Sequence, residues 1–369
     1  MAKVAFVSIM WHSRFVEELG VEYLTAVLRK ETNHEVRIFY KFPEDNYNDF
    51  FQQVIGFNPD IVGISLSHKY TGLEPLYAGA SLLKEKLPEV YLCIGGIFAS
   101  TNAENIMRKI QEVDCVFLGE SENIIVDFVD KVINHQSIDA LDGVVYRCEN
   151  GTLKTIPKKN FIMDLDAIPF PARDYMEEDW FKNDPFKMVN LMGSRGCHGH
   201  CHFCNVPSMY AVYGTEHCWR GRSIANIVDE MEYLYKEHGV LIFSFNDSSF
   251  EDAMPLTEGK KRLATFANEI LKRGLRILWT CCFRAETFKN NKEDIELIEL
   301  MVKSGLYNLL IGVEAGNKRA LNNFSKRATI SDNYQSIEIF DRYPVYISKG
   351  FIMFTPQSTP SLLRDNSEF

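Results

Sequence analysis

Apolar residues in the first third of the chain come in short unbroken runs separated by amphipathic stretches. The runs Lys3–Ile9, Glu35–Tyr40, Ile61–Leu66, Val90–Ile94 and Cys115–Leu118 predict buried strands. Between and after them, Glu17–Lys30, Tyr47–Phe57, Leu73–Leu87, Ala103–Ile110 and Asn123–Asn134 carry helical spacing. Strands that are apolar on both faces fit a parallel sheet sandwiched by helices. Residues 1–134 therefore read as a doubly wound, flavodoxin-like (Rossmann-type) α/β domain, whose ligands sit at the carboxyl ends of the strands. Four loops fall at those ends: Met10–Phe15, Ser65–Tyr70, Gly95–Ser100 and Gly119–Glu122. Tight turns in any α/β domain would carry the same letters.

The pattern changes over residues 135–186. Gly143–Arg147 and Leu153–Ile156 flank the turn Glu149-Asn-Gly151 and read as a hairpin. Asp164–Asp174 holds two close prolines, which favour extended chain, so the segment reads as a joint. From Lys187 strand and helix alternate again. Strands are expected at Met188–Met192, Leu241–Phe245, Ile277–Cys282, Tyr307–Val313 and Val345–Phe354, with helices at Ile224–Glu237, Thr257–Lys272, Asp294–Ser304 and near Ser331–Arg342. That is the start of a (β/α) barrel over residues 187–369, with catalytic groups expected at the carboxyl ends of its strands. The tail, Leu362–Phe369, is polar and reads as frayed.

Composition narrows the class. An apolar fraction of 46% and a charged fraction of 24% over 369 residues are those of a globular protein of about two domains. A net charge of −10 argues against a general nucleic-acid binder. No apolar run approaches the ~20 residues a membrane span requires. Nine cysteines without paired spacing point to a reducing cytoplasm. Cys93, Cys115, Cys281 and Cys282 fall in expected strands and read as small buried hydrophobes.

The chemistry is concentrated in Gly193-Ser-Arg-Gly-Cys197-His-Gly-His-Cys201-His-Phe-Cys204. Three thiolates at three-then-two spacing suit one iron–sulfur cluster, leaving its fourth iron without a protein ligand. Such an iron can bind a small molecule and pass it an electron. A zinc site is the alternative, because His198, His200 and His202 interleave the cysteines. Against it, no second ligand couple lies elsewhere in the chain.

The Cys-x3-Cys-x2-Cys run with Phe203 before its last cysteine resembles the radical S-adenosylmethionine (SAM) superfamily. That resemblance implies that Cys197, Cys201 and Cys204 hold a 4Fe-4S cluster whose open iron chelates SAM, and that one-electron cleavage yields a 5′-deoxyadenosyl radical. It implies that Phe203 packs against SAM, and that Asn246, Asp247 and Ser248 after the second barrel strand, Arg284 after the third and Glu314 after the fourth contact it. A helix cap at Asp247, a surface ion pair at Arg284 and a buried pair between Glu314 and Arg284 are the structural alternatives. Phe354 stands where the family often has a small residue.

Ile94–Ser100 followed by Val113–Glu122 resembles the cobalamin-binding domain that precedes the barrel in one radical SAM subgroup, and the proline connector resembles that subgroup's joint. By this resemblance Trp11, His12, Ser65, Ser67, Gly95, Gly96, Gly119 and Glu120 would contact cobalamin. The chain has no Asp-x-His-x2-Gly run, so no lower-ligand histidine is expected, as in that subgroup. Family barrels normally have six strands. This chain is expected to stop after the fifth, which leaves a fragment, a natural truncation or a barrel completed by a partner chain.

The expected function is a cobalamin-dependent radical SAM methyltransferase acting on an unactivated carbon of a small-molecule or peptide substrate, served by an electron donor such as flavodoxin or ferredoxin. The alternatives are a cyclase or rearrangement enzyme with the same cofactors, and a cofactor-binding subunit that needs a partner.

Overall fold

The computed structural model describes the chain except residues 11–17, 68, 213–218 and 252–254, together with the side chains of 69–72, 75, 208, 209, 211 and 212. Trp11 and His12, two of the expected cobalamin contacts, lie outside the described residues. The chain divides into two compact units, Met1–Asn183 with Ser208–Glu216, and Asp184–Pro207 with His217–Phe369.

The first unit alternates β1 (Lys3–Ile9), α1 (Leu19–Glu31), β2 (Glu35–Lys41), α2 (Tyr47–Phe57), β3 (Ile61–Ser65), α3 (Lys69–Lys86), β4 (Tyr91–Gly95), α4 (Ile97–Lys109), β5 (Cys115–Phe117) and α5 (Ile125–Ile133). The strands β1 to β5 are parallel in the order β2-β1-β3-β4-β5, as expected of a flavodoxin-like sheet. The strand β3 is buried at every position, and β1 at every position after Lys3, which is why the runs are apolar throughout.

Residues 135–186 do more than join. The strands β6 (Val144–Arg147) and β7 (Leu153–Ile156) extend the first sheet antiparallel beyond β5. The edge that β5 would otherwise leave open is thereby paired. The proline connector is fastened to α1: Arg29 makes two 2.7 Å hydrogen bonds to Asp174, and the Ala172 N–H donates to Glu22 O at 3.1 Å. Residues 135–183 thus lie in the first compact unit, with the short helix α6 (Asp179–Lys182) near their end.

Residues 184–369 contain β8 (Met188–Leu191), β9 (Ser194–Arg195), α7 (Asn205–Val212), β10 (Arg220–Gly221), α8 (Ile224–His238), β11 (Ile242–Phe245), α9 (Leu256–Lys272), β12 (Leu278–Arg284), α10 (Lys292–Lys303), β13 (Leu306–Glu314), α11 (Lys318–Asn323), α12 (Ile330–Phe340), β14 (Tyr346–Phe351) and α13 (Pro360–Glu368). Five strands form one parallel sheet in the order β8-β11-β12-β13-β14, a partial barrel. Phe245, Phe250, Phe266 and Trp279 pack its core, and Trp279 satisfies its indole N–H on Ser304 Oγ at 3.2 Å.

The tail is ordered rather than frayed. Thr359 caps α13 through the Leu362 N–H, and Pro360 occupies its first turn. Asn366 Oδ1 accepts from Gly316 N–H at 3.0 Å and Asn317 Nδ2 at 2.8 Å, while Phe369 packs on Tyr334 and Phe351. Gly316 admits this contact because a Cβ there would lie 2.3 Å from Phe369 Cβ.

Candidate functional site

The three cysteines follow β9, beyond the carboxyl end of the first barrel strand, and all three are half-buried. The loop wraps sulfur with amides. Gly199 N–H donates to Cys197 Sγ at 3.2 Å and Val206 N–H to Cys204 Sγ at 3.4 Å. A Cβ at Gly199 would sit 3.3 Å from Cys197 Sγ and 3.7 Å from Cys201 Sγ, so this glycine lets two sulfurs close around one turn. Amide donors aimed at sulfur favour the thiolate and tune a cluster held by it. A 4Fe-4S cluster takes one thiolate on each of three irons, and three thiols stand here on one short loop. Thus the donor set fits the cluster.

Bonds from distant segments hold the loop. On its amino side, Asp247 is buried and accepts from Gly193 N–H at 2.8 Å and from Ser194 Oγ at 2.6 Å. Burial pushes its carboxyl up to about 7, against the opposing pull of Ser194, Gly193 and the arginines Arg262 and Arg222. Arg262 donates to Gly193 O at 3.1 Å, and Arg222 donates to Met192 O at 3.0 Å. Arg222 is itself fixed by Glu230 at 2.6 Å and Asn226 at 2.6 Å, the Arg222–Glu230 pair being almost fully buried. On the carboxyl side, His202 N–H donates to Phe324 O and His202 Nδ1 lies against Asn323 O, both at 3.0 Å, while Phe203 packs edge-on to Phe324 at 5.4 Å.

The expected SAM contacts separate into two groups. Asn246 and Ser248 are exposed beyond β11, and Phe203 is exposed beside the cysteines. Asp247, by contrast, spends both oxygens on the loop, so it braces the loop rather than facing a ligand. Arg284 lies between Glu251 at 3.8 Å and Glu286 at 3.7 Å, with its own N–H on Glu251 at 3.1 Å. Glu314 pairs with Lys326 at 3.3 Å and not with Arg284. Gly312 and Gly350 lie side by side in the β13–β14 register, and a Cβ at Gly312 would meet Glu314 Oε1 at 2.8 Å and Lys326 Nζ at 2.9 Å. The two glycines make a floor for this ion pair. Glu314 takes a left-handed φ of 67°, uncommon for a side-chain-bearing residue and a mark of local strain. Phe354 lies beyond β14 and is exposed.

In the first unit, Ser65, Ser67, Gly95, Gly96, Gly119 and Glu120 gather at or beyond the carboxyl ends of β3, β4 and β5, the edge at which this sheet type binds ligands. Ser65 Oγ and Ser67 Oγ both donate to Glu18 Oε2, at 2.9 and 2.6 Å. Glu18 immediately precedes α1 without capping it through its side chain, so this cluster spans the β1/β3 switch point of the sheet. Gly96 has φ 99° and its missing Cβ would lie 2.8 Å from Leu66 C. Ser100 Oγ accepts the Gly119 N–H at 2.9 Å and lies 2.8 Å from Gly96 O, tying the last two loops together. A Cβ on Gly95 would meet only Phe117 Cβ at 3.8 Å, which leaves backbone open to a close-lying planar ligand such as a corrin.

Sequence reasoning missed Glu18, Ser100, Arg222, Glu251, Arg262 and Lys326. Each acts through a partner remote in sequence, so no local motif marks it.

Comparison with known proteins agrees with this division. Residues 14–129 match the B12 binding domain family and residues 191–365 the radical SAM superfamily. An uncharacterized methyltransferase of Pyrococcus horikoshii is 28% identical over 92% of this chain and 70% of its own length. The hopanoid C-3 methylase of Methylococcus capsulatus is 27% identical over 88% of this chain and 58% of its length, and an anaerobic magnesium-protoporphyrin IX monomethyl ester cyclase of Rubrivivax gelatinosus 25% over 98% and 64%. Among solved structures, the cobalamin-dependent SAM radical enzyme OxsB with aqua-cobalamin and SAM bound superposes with a TM-score of 0.82 at 20% identity, covering all of this chain and 51% of that one. The radical SAM methyltransferase TsrM of Kitasatospora setae, with cobalamin and a 4Fe-4S cluster bound, gives 0.76 at 15%, covering all of this chain and 69% of that one. This chain thus spans between about half and 70% of the length of these relatives. It carries a B12-binding domain over residues 14–129 ahead of a radical SAM domain over residues 191–365.

Proposed function

We propose that this chain is a cobalamin-dependent radical SAM methyltransferase that alkylates an unactivated carbon of a small-molecule or peptide substrate. The observation that carries this reading is the amide-wrapped set of Cys197, Cys201 and Cys204 beyond the first strand of a partial barrel, in one chain with a B12-binding domain. The methyltransferases among its relatives support the methyl-transfer outcome.

The cysteines would hold a 4Fe-4S cluster, and the exposed Asn246, Ser248 and Phe203 with the Glu314–Lys326 pair would hold SAM. Glu314 suits an amino group, and Lys326 at its flank suits a carboxylate. Ser65, Ser67, Gly95, Gly96, Gly119 and Glu120 would border cobalamin. When bound, these cofactors supply one-electron cleavage of a sulfonium and a methyl carrier. The chain's own part is to orient them and keep water from the reactive carbon.

The test is anaerobic reconstitution with iron, sulfide and cobalamin, followed by SAM and a strong reductant, with 5′-deoxyadenosine measured against Cys201→Ala. Product formed only with Cys201 intact is the expected result. Cluster present but no 5′-deoxyadenosine refutes the catalytic reading of this chain. A second outcome, ring formation, is favoured by the cyclase relative that aligns over 98% of the chain. Substrate that gains no methyl mass but loses two hydrogens would select it.

A further inference from the structure

The segment between Glu314 and Asp332 carries four cations, Lys318, Arg319, Lys326 and Arg327, and no acid, in a chain whose net charge is −10. Lys326 turns inward to Glu314. Lys318, Arg319 and Arg327 are exposed, and among the described residues none of them makes an ion pair. The helix α13, which docks at Gly316 and Asn317, carries Asp365 and Glu368 along with Arg364. Three positive side chains thus stand without an ion pair among the described residues of an acidic protein.

Their position gives them a use. The cysteine loop is bonded to the end of α11 by His202 on Asn323 O and Phe324 O, and by Phe203 on Phe324. The six residues of α11 are about 9 Å long, so Lys318 and Arg319 lie about one Debye length from the junction at physiological salt. A local field of one sign beside a site steers an oppositely charged partner to it, even when the whole protein carries the other sign.

We propose that Lys318, Arg319 and Arg327 form the docking face for an acidic one-electron carrier protein of the flavodoxin type, which delivers electrons to the cluster. This inference rests on the cluster reading above and adds the surface through which its electron arrives. In each encounter the carrier's flavin hydroquinone anion is oxidised to the neutral semiquinone, and the cluster is reduced by that same single electron. No proton, atom or group crosses the interface. An RNA partner fits less well, because a binder of that class spreads six or more cations along the backbone, and only three are free here.

The experiment compares wild-type chain with the triple variant Lys318→Glu, Arg319→Glu, Arg327→Glu, both reconstituted with iron and sulfide. Stopped-flow absorbance follows cluster reduction by an acidic flavodoxin hydroquinone, at about 50 mM and about 500 mM salt. The expected result is a second-order rate at least about tenfold lower in the variant at low salt, with the gap closing at high salt. Photoreduced 5-deazariboflavin, a small uncharged donor, should reduce both clusters alike, which shows that the site itself is intact. Equal flavodoxin rates in the two proteins overturn the proposal. Binding of flavodoxin to cluster-free protein is measured separately and should be lost in the variant. If no cluster assembles, the cluster reading fails while this binding result still judges the surface. Tighter salt-sensitive binding of a transfer RNA than of flavodoxin also overturns it. The milder Lys318→Gln, Arg319→Gln, Arg327→Gln variant, expected to fall midway, serves if charge reversal harms folding.

Discussion

Replacing Asp247 by Asn should make the second unit more stable at pH 8 and leave it unchanged at pH 4. The carboxyl is buried and its pKa is pushed from an ordinary 3.8 up to about 7, chiefly by burial. The folded state therefore holds this proton more tightly than the unfolded chain. The stability it contributes is complete below pH 3.8 and drains away as pH rises towards 7. At about 1.4 kcal/mol per pH unit the loss amounts to about 4 kcal/mol. Asn imitates the protonated acid: its Oδ1 can still accept from Gly193 N–H, and its amide can donate to Ser194 Oγ where the acid's proton would. Thermal unfolding of the cluster-free, reduced protein at pH 5, 6, 7 and 8 reads the difference. The gap between variant and wild type should widen by about 2 kcal/mol between pH 5 and 7, roughly 7 °C for a unit of this size, and then level off. Parallel curves, or a gap that widens towards acid, would refute the reasoning.

Three further outcomes follow from the same contacts. Arg222→Met removes the cation that lies 2.6 Å from buried Glu230 and should cost about 3–5 kcal/mol in urea unfolding, most of it recovered by adding Glu230→Leu; no recovery in the double variant would mean the pair is not the source of the loss. Gly316→Val brings carbon to within 2.3 Å of Phe369 Cβ, so hydrogen exchange over 360–369 should quicken while β13 stays protected, and unchanged protection would count against the docked helix. Lys326→Met strands Glu314 on its glycine floor and should weaken SAM binding about tenfold or more at unchanged iron content, as read by equilibrium dialysis; unaltered binding would remove the pair from the site.

Much of the fold was legible because its signals are local. A strand buried on both faces must be apolar throughout, so β1 and β3 announce themselves. The cysteine spacing is local too. Other elements hid for identifiable reasons. Ile97–Ser100 reads as loop, yet the positive φ of Gly96 starts α4 at Ile97, six residues before the expected Ala103. The tail was misread on polarity alone, although Thr359 before Pro360 is a start signal for α13 that composition obscured. Hairpin strands β6 and β7 were visible, but their membership in the first sheet depends on the open edge of β5, which no residue of the hairpin reveals.

The same distinction separates the three cysteines proposed as cluster ligands from their support. Cys197, Cys201 and Cys204 declare themselves within eight positions, while the backbone that aims them is fixed by Arg222, Asp247, Arg262 and Phe324, drawn from four separate stretches. Hydrogen bonds to Gly193 from one side and from His202 to α11 on the other leave little freedom to the turn between them. Under the proposed function, which needs a radical precursor held beside one carbon, that constraint has a use, since a misplacement of about 1 Å can cost about a hundredfold in rate. A scaffold of this kind is chosen by tertiary geometry, and many residue sets could supply it. The proposed ligands have less freedom, because thiolates are what such irons ordinarily take, and so the chemistry is written in the motif and its precision in the fold.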